Sequence, residues 1–541
     1  MAKIILRNID APMECAAEPE ETLRRSAAKK LSISSEAISN LSVFQRALDV
    51  RRNNPRFTYA VIFETEADIA QKLVEQKKAE WAPEPNPRNW KIPKTLSQAR
   101  PIIVGAGPAG LFAAYILAEA GLKPIILERG KMVEERSRDV SSLYSRGTLQ
   151  TDSNVCFGEG GAGTYSDGKL YTRVSDPRVR AFYEILIKLG AKSDILINTR
   201  PHIGTDKLVN ILKRLRKYLE SLGTSILFNK KLVDFELDGT RVKTLRTEDG
   251  ETFEVSQLIL ATGHSANDVW HILAKHNISM EARSFAVGFR LEHPQPLINE
   301  IRYGRHATHP ELPAADYVLR YNQKGSDERG AYSFCMCPGG VVVPTPTKPE
   351  QLCINGMSHA ARSGRFANSA LVATLTPKDF ETFGHLGIFS GVDFQTQLER
   401  DAFRAGGADF RAPAGRLTDF LDGKLSRDLP KTSYRRGLTP YPIHELFPQV
   451  LVQCLREALK TFEKKMPGFI TAEASLIGVE TRTASPIRVL RDRETHQALA
   501  LENLYPSGEG MGFGGGIASA ALDGIRTAEK ILLRLGAQLT P

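Results

Sequence analysis

The segment at residues 101–129 constrains this chain most, because it reads as a strand, a glycine-rich turn, a helix and a second strand. The apolar run Ile102–Val104 predicts a short buried strand. Gly105–Gly110 follows with the G-x-G-x-x-G spacing, in which the glycines allow a tight turn, a close approach of pyrophosphate and close helix packing. Pro124–Leu127 predicts the second strand, and it ends at Glu128, where an acid can bind a ribose hydroxyl. The segment therefore predicts a dinucleotide site.

The same segment has a competing interpretation as a membrane span, because Pro101–Ala118 carries no charge. Glycines and a proline in its first half, and the charges of Glu119 and Lys123 soon after it, argue against a span. The N-terminus includes Arg7 and Asp10 and lacks the apolar run of a signal peptide. We therefore predict a cytoplasmic protein without a membrane span.

Composition argues against several other classes of protein. The 541 residues contain only six cysteines, too few for a disulfide framework, and neither a CxxC pair nor a zinc-like cluster, so no metal is predicted. The net charge of +10 can attract nucleic acid, an anionic membrane surface or an anionic substrate. The basic residues are spread along the chain, and the cluster at 213–217 fits a solvated helix face, so nucleic acid is not the favoured partner.

The chain divides into a small N-terminal α/β domain at 1–80, a proline-rich linker at 81–100, and a cofactor-binding domain that begins at 101–280 and resumes at 471–541. Residues 281–470 show alternating apolar segments, many Gly/Pro turns and few long helices. This pattern predicts an inserted, sheet-rich domain that would cover the cofactor and form the substrate site.

Two further motifs identify the dinucleotide. Residues 258–264 form an apolar strand that ends in Ala261–Gly263, a small-residue turn that can pass close to a cofactor. Residues 504–517 give a strand, the acid Glu509 and a run of glycines that opens a helix, which suits a ribityl chain and the edge of a flavin. Together the motifs specify FAD. The sequence contains no second unit like 101–129, in which a strand, G-x-G-x-x-G, a helix, a strand and an acid follow one another, so no dedicated NAD(P)H domain is predicted.

Other segments leave alternatives open. The glycine-rich stretch 157–170, with Lys169, either contacts the cofactor or is a flexible loop. Cys335 and Cys337 would share one face of a strand, where Cys337 is either a reactive thiol or a small packed side chain. His264, just after the Ala261–Gly263 turn, is a candidate proton donor.

Four arginines form a further candidate set. They lie in polar segments and either form an anion pocket or are scattered over the surface: Arg362, Arg365, Arg482 and Arg488.

The motifs GAGPAG with Glu128, FGEGGAGTYSDGKL, LATGHSA, FCMCPGG, NGMS, ETRTASPIR and GEGMGFGGGIASAALDG together resemble the uncharacterised bacterial FAD-dependent dehydrogenases of the FAD/NAD(P)-binding oxidoreductase superfamily. The resemblance covers residues 95–541, and the N-terminal domain also looks like that of the family. One departure from the superfamily is Glu509, where Asp is commoner, which affects the details of the ribityl contact. The predicted fold is α/β: a Rossmann-like FAD-binding domain of the glutathione-reductase-like type, an inserted sheet-rich α+β substrate domain and the small N-terminal α/β domain.

The predicted FAD-binding residues come from these motifs and their flanks. They are Gly105, Ala106, Gly107, Pro108, Ala109, Gly110, Glu128, Arg129, Gly160, Gly161, Ala162, Gly163, Thr164, Lys169, Leu170, Leu232, Ala261, Thr262, Gly263, Gly508, Glu509, Gly510, Gly515, Gly516 and Ile517. No catalytic residue is assigned beyond the candidates Cys337 and His264.

The predicted function is an FAD-dependent dehydrogenase that moves two electrons between an acceptor and either a small-molecule substrate or transiently docked NAD(P)H. Two alternatives remain: a flavoprotein that acts on or binds nucleic acid, and a non-catalytic FAD-binding protein for redox sensing or interaction. The sequence names neither the substrate nor the oligomeric state.

Overall fold

A computed structural model describes residues 1–11, 19–50, 55–83, 89–91, 100–172, 176–323, 325 and 329–540. The strands are β1 Ala2–Ala11, β2 Ser39–Asp49, β3 Arg56–Thr65, β4 Glu80–Trp81, β5 Asn89–Lys91, β6 Ile102–Val104, β7 Ile125–Leu127, β8 Ser225–Leu227, β9 Leu232–Asp238, β10 Arg241–Thr247, β11 Thr252–Glu254, β12 Leu258–Leu260, β13 Met280–Ala282, β14 Phe285–Pro294, β15 Arg320–Asn322, β16 Gly330–Pro344, β17 Ile354–Met357, β18 Phe366–Leu375, β19 Ala412–Arg416, β20 Leu438–Pro440, β21 Ser475–Glu480, β22 Ile487–Val489, β23 Leu504–Pro506 and β24 Gln538–Thr540. The α-helices are α1 Pro19–Leu31, α2 Ala67–Glu75, α3 Pro108–Glu119, α4 Val133–Arg146, α5 Arg178–Lys188, α6 Thr205–Ser221, α7 Asn267–Lys275, α8 Gln295–Tyr303, α9 Pro377–Thr382, α10 Ser390–Gly406, α11 Leu417–Asp422, α12 Gln449–Lys465 and α13 Ile517–Arg534.

The N-terminal unit is a four-stranded antiparallel sheet in the order β2-β3-β1-β4, with α1 and α2. Alternate apolar residues of its strands face the helices and form a separate core around Ile4, Leu23 and Phe63. The unit contacts the following domain through β2, where the backbone N–H of Arg46 donates to the carbonyl of Ile197 and the N–H of Thr199 donates to the carbonyl of Arg46. Of the predicted linker at 81–100, residues 84–88 and 92–99 lie outside the described ranges, and β5 pairs with β24.

The cofactor-binding domain is built on a five-stranded parallel sheet in the order β23-β12-β6-β7-β8. The central strands are short apolar runs, buried as expected for a parallel sheet with both faces covered. Helix α3 is buried on nearly every side because it packs against the sheet and against α13. All five strands end at the same edge, so the turns after β6, β12 and β23 meet there.

The third unit is an eight-stranded, mostly antiparallel sheet that runs β15-β16-β18-β14-β21-β19-β20, with β17 paired to β16. Strand β21 lies in this sheet although the sequence boundary at 470 places it in the cofactor-binding domain. The short apolar run of β21 resembles a strand of either domain, so only its pairing with β14 and β19 assigns it. The expectation of few long helices in this region is wrong, since α10 and α12 each have 17 residues and cover the sheet.

Neither a membrane-spanning helix nor a metal cluster is found among the described residues. Among them, no helix combines the length and the apolar character that a membrane crossing requires. Nor does this part of the chain bring three or more His, Cys, Asp or Glu side chains together as a metal site would.

Candidate functional site

A cavity lies at the edge of the parallel sheet where the three glycine motifs meet. It encloses about 1390 Å³ of space, part of it open to solvent. The turns after β6, β12 and β23 form its base, and Phe334, Cys335 and Asn355 of the inserted sheet form its opposite wall. The topology therefore brings segments more than 400 residues apart in the chain to one site.

Most of the residues predicted to bind the cofactor line this cavity. They are Gly105, Gly107, Pro108, Ala109, Glu128, Arg129, Gly161, Ala162, Gly163, Lys169, Leu232, Ala261, Thr262, Gly263, Gly508, Glu509, Gly515, Gly516 and Ile517.

The remaining predicted residues lie behind the cavity wall: Ala106, Gly110, Gly160, Thr164, Leu170 and Gly510. Gly110 is required by packing, because a Cβ there would lie 2.0 Å from the Gly105 carbonyl oxygen. The Gly160 N–H donates to the Ala106 carbonyl at 2.7 Å, and the Gly510 carbonyl accepts from Trp270 Nε1 at 2.9 Å. These residues support the wall, a role that the motif spacing does not distinguish from direct contact.

The backbone of the cavity fits a phosphate-bearing cofactor. A Cβ on Gly515 or Gly516 would meet no atom within 4 Å, so the chain is open to a ligand there. Helices α3 and α13 begin at the cavity after Gly107 and Gly516, and helix N-termini bind anions through free N–H groups. The buried hydroxyl of Thr262 has no hydrogen-bond partner among the described residues. The cavity thus offers space, donors and positive dipole ends in the arrangement that a dinucleotide requires.

Glu128 is buried at the end of β7 and already holds the turns around it. Its Oε2 accepts from the N–H of Ala106 at 2.7 Å, and its Oε1 accepts from those of Gly130 and Gly158, each at 2.9 Å. An ionised carboxylate can accept about four hydrogen bonds, so Oε2 retains capacity for a ribose hydroxyl. Removing Glu128 would disturb the fold of the site as well as the ligand contact.

Sequence reasoning missed Arg136 on α4, which organises the glycine-rich stretch. Its guanidinium is fully buried and donates to the carbonyls of Asn154, Val155, Glu159 and Gly161 at 2.6–2.9 Å. This stretch is therefore a braced wall of the cavity, which decides against the interpretation as a flexible loop. No sequence motif signals such a role, because Arg136 lies in a charged helix that reads as solvated.

Lys169 lies where the cavity meets the inserted sheet. Its Nζ forms an ion pair with Asp167 at 2.9 Å and also donates to the Met336 carbonyl. Burial alone would lower the pKa of Lys169, but the nearby thiols and Asp167 outweigh it and raise the pKa above its usual value. Arg362 also pairs with Asp167. The site thus holds a permanent positive charge at this end.

Hydrogen bonds connect His264, through Ser265, to the ion pair between Arg482 and Glu399. Arg482 pairs with Glu399 of α10 at 2.7 Å and donates to Ser265 Oγ at 3.1 Å, and Ser265 Oγ lies 3.0 Å from His264 Nδ1. Burial, together with the Arg482 charge, lowers the pKa of His264 to about 4. The imidazole is therefore neutral at physiological pH, and its role as a proton donor stays a prediction.

Glu509 lies at the start of α13, where its Oε2 accepts from the N–H of Gly516 at 3.3 Å. Burial raises the pKa of Glu509 to about 7, and the nearby Cys335 contributes in the same direction. The side chain therefore changes charge near neutral pH, inside the cofactor cavity.

Replacing Glu509 by glutamine is expected to flatten the pH dependence of the cofactor's reduction potential. As the pH rises through about 7, ionisation of Glu509 adds a negative charge that opposes electron uptake, so the potential of the unchanged protein falls more steeply between about pH 6 and pH 8. Spectroelectrochemical titration measures this slope, and Glu502→Gln, at an exposed position, is the control. Equal slopes in both variants would contradict the role of Glu509.

A second cavity adjoins the first and shares part of its wall. We call it the aromatic chamber, because its lining includes Tyr171, Tyr317, Tyr321, Tyr332 and Phe334. It encloses about 2470 Å³, including space open to solvent, and its wall is shared with the cofactor cavity at Lys169, Phe334, Cys335, Gly515, Gly516 and Ile517.

The structure bears on two sets of residues for which the sequence left alternatives open. Cys337 is fully buried behind the wall, and Cys335 is the thiol that lines both cavities. The reason is an irregularity in β16, which the alternating pattern of a regular strand does not predict.

The four arginines do not form one anion pocket. Arg482 lines the cofactor cavity, while Arg362 and Arg365 line a separate surface groove. Arg488 pairs with Glu281 at 3.0 Å. Arg362, Arg482 and Arg488 thus each pair with a different carboxylate.

Comparisons with known proteins identify the family. The family model "FAD-dependent protein, C-terminal domain-like" matches residues 284–483, and "FAD binding domain" matches residues 98–150. An uncharacterized protein of Clostridium beijerinckii is 40% identical over 514 residues, which cover 94% of this chain and 95% of that protein. The chain belongs to this FAD-dependent family. Its cofactor is FAD, and its fold is an α/β FAD-binding fold.

Other similarities to this FAD-dependent protein are partial or remote. A thiamine thiazole synthase of Archaeoglobus fulgidus is 41% identical over 64 residues, 12% of this chain and 20% of that protein. Among solved structures, a mutant of the halogenase PltM in complex with FAD has 10% identity and a TM-score of 0.38, covering 81% of this chain and 70% of its own. A glycerol-3-phosphate dehydrogenase of Bacillus halodurans complexed with FAD has 9% identity and a TM-score of 0.35, covering 82% and 66%.

Proposed function

We propose that this protein is an oxidoreductase that moves two electrons between its FAD and a small-molecule substrate held in the aromatic chamber. The observation that carries the proposal is the shared wall, because a molecule in the chamber reaches the cofactor cavity beside Lys169 and the start of α13. FAD supplies the redox chemistry when bound. The proposal includes a glutathione-reductase-like arrangement of the FAD-binding domain and a cytoplasmic location.

The protein's own groups suit this chemistry at the shared wall. The positive charge of Lys169 and the N-terminal dipole of α13 favour negative charge that develops there during electron uptake. Ser265 Oγ accepts from Arg482 and can donate its own hydrogen to His264 Nδ1, in the tautomer that carries the imidazole proton on Nε2. His264 can therefore orient a bound group by donating one hydrogen bond, without adding charge.

The rings of the chamber favour a substrate with a planar or apolar part. Tyr332 and Phe334 lie edge to face with ring centroids 6.4 Å apart, and both line the chamber. Such walls exclude water and leave polar recognition to the side chains at the rim. The sequence lacks a second dinucleotide motif, so NAD(P)H would have to dock transiently.

Anaerobic titration of the purified holoprotein with NADH, NADPH and a panel of metabolites tests the proposal. We expect one of them to bleach the visible absorption of the flavin and to support turnover when an acceptor is added. If dithionite bleaches the flavin but none of the other reductants does, the non-catalytic alternative replaces the proposal. RNA binding that falls steeply with salt would instead support the nucleic-acid alternative.

Once a substrate is found, Tyr171→Ala is expected to raise its KM about three- to tenfold without changing the affinity for FAD. Tyr171 lines only the chamber, and loss of one aromatic contact costs about 0.5–1.5 kcal/mol. The matched control is Tyr218→Ala, since the two tyrosines are similarly exposed, at 40% and 37%, and Tyr218 lies on α6. Equal KM values for the two variants would remove the chamber from the proposal.

A further inference from the structure

The strand β16 is irregular where it passes the cofactor cavity. Its pairing with β18 runs Phe334↔Ala370 and then Cys337↔Asn368, so β16 has one more residue than its partner between the two pairs. Cys335 lies in this bulge with φ +44°, a left-handed backbone conformation that is costly for a residue with a side chain. Such strain is found mostly at functional sites, and here it fixes the position of a thiol.

The bulge brings two thiols together. Cys337 Sγ donates to the Cys335 carbonyl oxygen at 3.3 Å, so the bulge folds the Cys337 thiol back onto residue 335. The two thiols are close enough to shift each other's pKa. Cys335 lines the cofactor cavity and the aromatic chamber, and Cys337 is buried behind it. The pair thus has one accessible and one protected sulfur.

Buried positive charge surrounds the pair. Arg290 Nη2 donates to Cys337 Sγ at 3.2 Å and to the Cys335 carbonyl at 2.7 Å, and Arg290 is itself paired with Glu480 at 2.9 Å. Lys169, paired with Asp167, donates to the carbonyl of Met336, the residue between the two cysteines. Cationic neighbours of this kind favour a thiolate.

The two thiols differ in acidity as a reactive pair requires. The hydrogen bond from Cys337 and the charges of Lys169 and Arg290 outweigh burial and lower the pKa of Cys335 to about 5. The hydrogen bond to Cys335, together with burial, raises the pKa of Cys337 well above its usual value. Cys335 is therefore the more acidic thiol of the pair, and Cys337 is the one that keeps its proton.

We propose that Cys335 and Cys337 form a dithiol–disulfide couple that exchanges two electrons with the FAD in the adjoining cavity. In the oxidising direction, the Cys335 thiolate and the Cys337 thiol form an S–S bond, while both electrons and the Cys337 proton pass to oxidised FAD. The reverse step breaks the S–S bond and returns the electron pair and the proton. The couple rests on the proposed function, which places FAD in the cavity that Cys335 lines together with Glu509 and Gly516.

The first test counts electrons in the oxidised holoprotein by anaerobic titration with dithionite. We expect the unchanged protein to take up two electron pairs per flavin, one for FAD and one for the disulfide, and Cys337→Ser to take up only one. Cys454→Ala, in the core helix α12, is the control and keeps two pairs. One pair per flavin in the oxidised, unchanged protein would overturn the couple.

The second test needs no bound FAD and separates the couple from the proposed function. FAD-free protein is oxidised with diamide, alkylated and digested, and we expect mass spectrometry to find the Cys335–Cys337 disulfide. In the reduced protein, iodoacetamide should modify Cys335 at mildly acidic pH, and Cys337→Ala should slow that reaction by removing the neighbouring thiol that lowers the pKa of Cys335. Separate, unlinked thiols after oxidation would overturn the couple, while the proposed oxidation of a chamber substrate would still stand.

Discussion

Replacing Gly107 by alanine is expected to lower the affinity for FAD about 100-fold, a loss of about 2.8 kcal/mol, while the FAD-free protein keeps its fold. Gly107 has φ −80° and ψ −177°, extended values that alanine adopts freely. A Cβ there would have its nearest protein atom, Gly161 Cα, at 3.9 Å, which is ordinary contact. The new methyl group therefore has room in the protein and projects where a pyrophosphate must approach the backbone.

Isothermal titration of the FAD-free protein with FAD measures the effect, and thermal melting shows that the fold is retained. Gly415→Ala is the matched control, because a Cβ there would lie 3.4 Å from Ile443 in the inserted domain, away from the cavity. Gly110→Ala should instead destabilise the domain itself, since its Cβ would overlap the Gly105 carbonyl oxygen. Unchanged affinity in Gly107→Ala would show that FAD does not lie across this turn.

Replacing Arg136 by methionine is expected to destabilise the cofactor-binding domain by at least about 4 kcal/mol and to abolish FAD binding. Methionine fills much of the space but leaves several buried carbonyls without a donor, and each unsatisfied group costs about 1–3 kcal/mol. The carbonyls belong to residues 154–161, which support the cavity wall at Gly161. The stability of Arg136→Lys should lie between that of the unchanged protein and that of Arg136→Met. An ammonium has fewer donors than a guanidinium and presents them in another geometry.

Thermal melting of the FAD-free protein measures the loss of stability, and limited proteolysis should show new cleavage within residues 150–166. The matched control is Arg138→Met, at an exposed position on the same helix α4. If Arg136→Met and Arg138→Met melt at the same temperature, the loop does not depend on the buried guanidinium.

Local sequence rules predicted the cofactor-binding half of the site well. The strand before Gly105 occurs as predicted, and the glycine run at 504–517 opens a helix, α13, as predicted. These elements depend on apolar periodicity and on glycines at fixed spacing, which act within one turn or strand. Because parallel strands end at one edge, their order along the chain also predicted that the three motifs meet.

The other half of the site depends on partners far apart in the sequence. Arg482 contacts Glu399 and Ser265 only because β21 joins the inserted sheet beside α10. Cys335, rather than Cys337, reaches the cavity because of one extra residue in β16, and strand alternation gives no sign of such a bulge. From residue type alone, these positions could be predicted to be polar or reactive. Which of them line the site depends on tertiary contacts.

The order of strands in the parallel sheet has a consequence for biosynthesis. β12 ends at Leu260, while its neighbour β23 begins at Leu504 and the last cavity residues follow at Gly515–Ile517. At translation rates of about 5–20 residues per second, the ribosome needs roughly 12–50 s for the roughly 250 residues between them. During that time the nascent chain holds an incomplete cofactor cavity and an uncovered sheet edge. Cells short of FAD would then accumulate finished but cofactor-free chains, because capture of the cofactor can only follow synthesis of the last cavity segment.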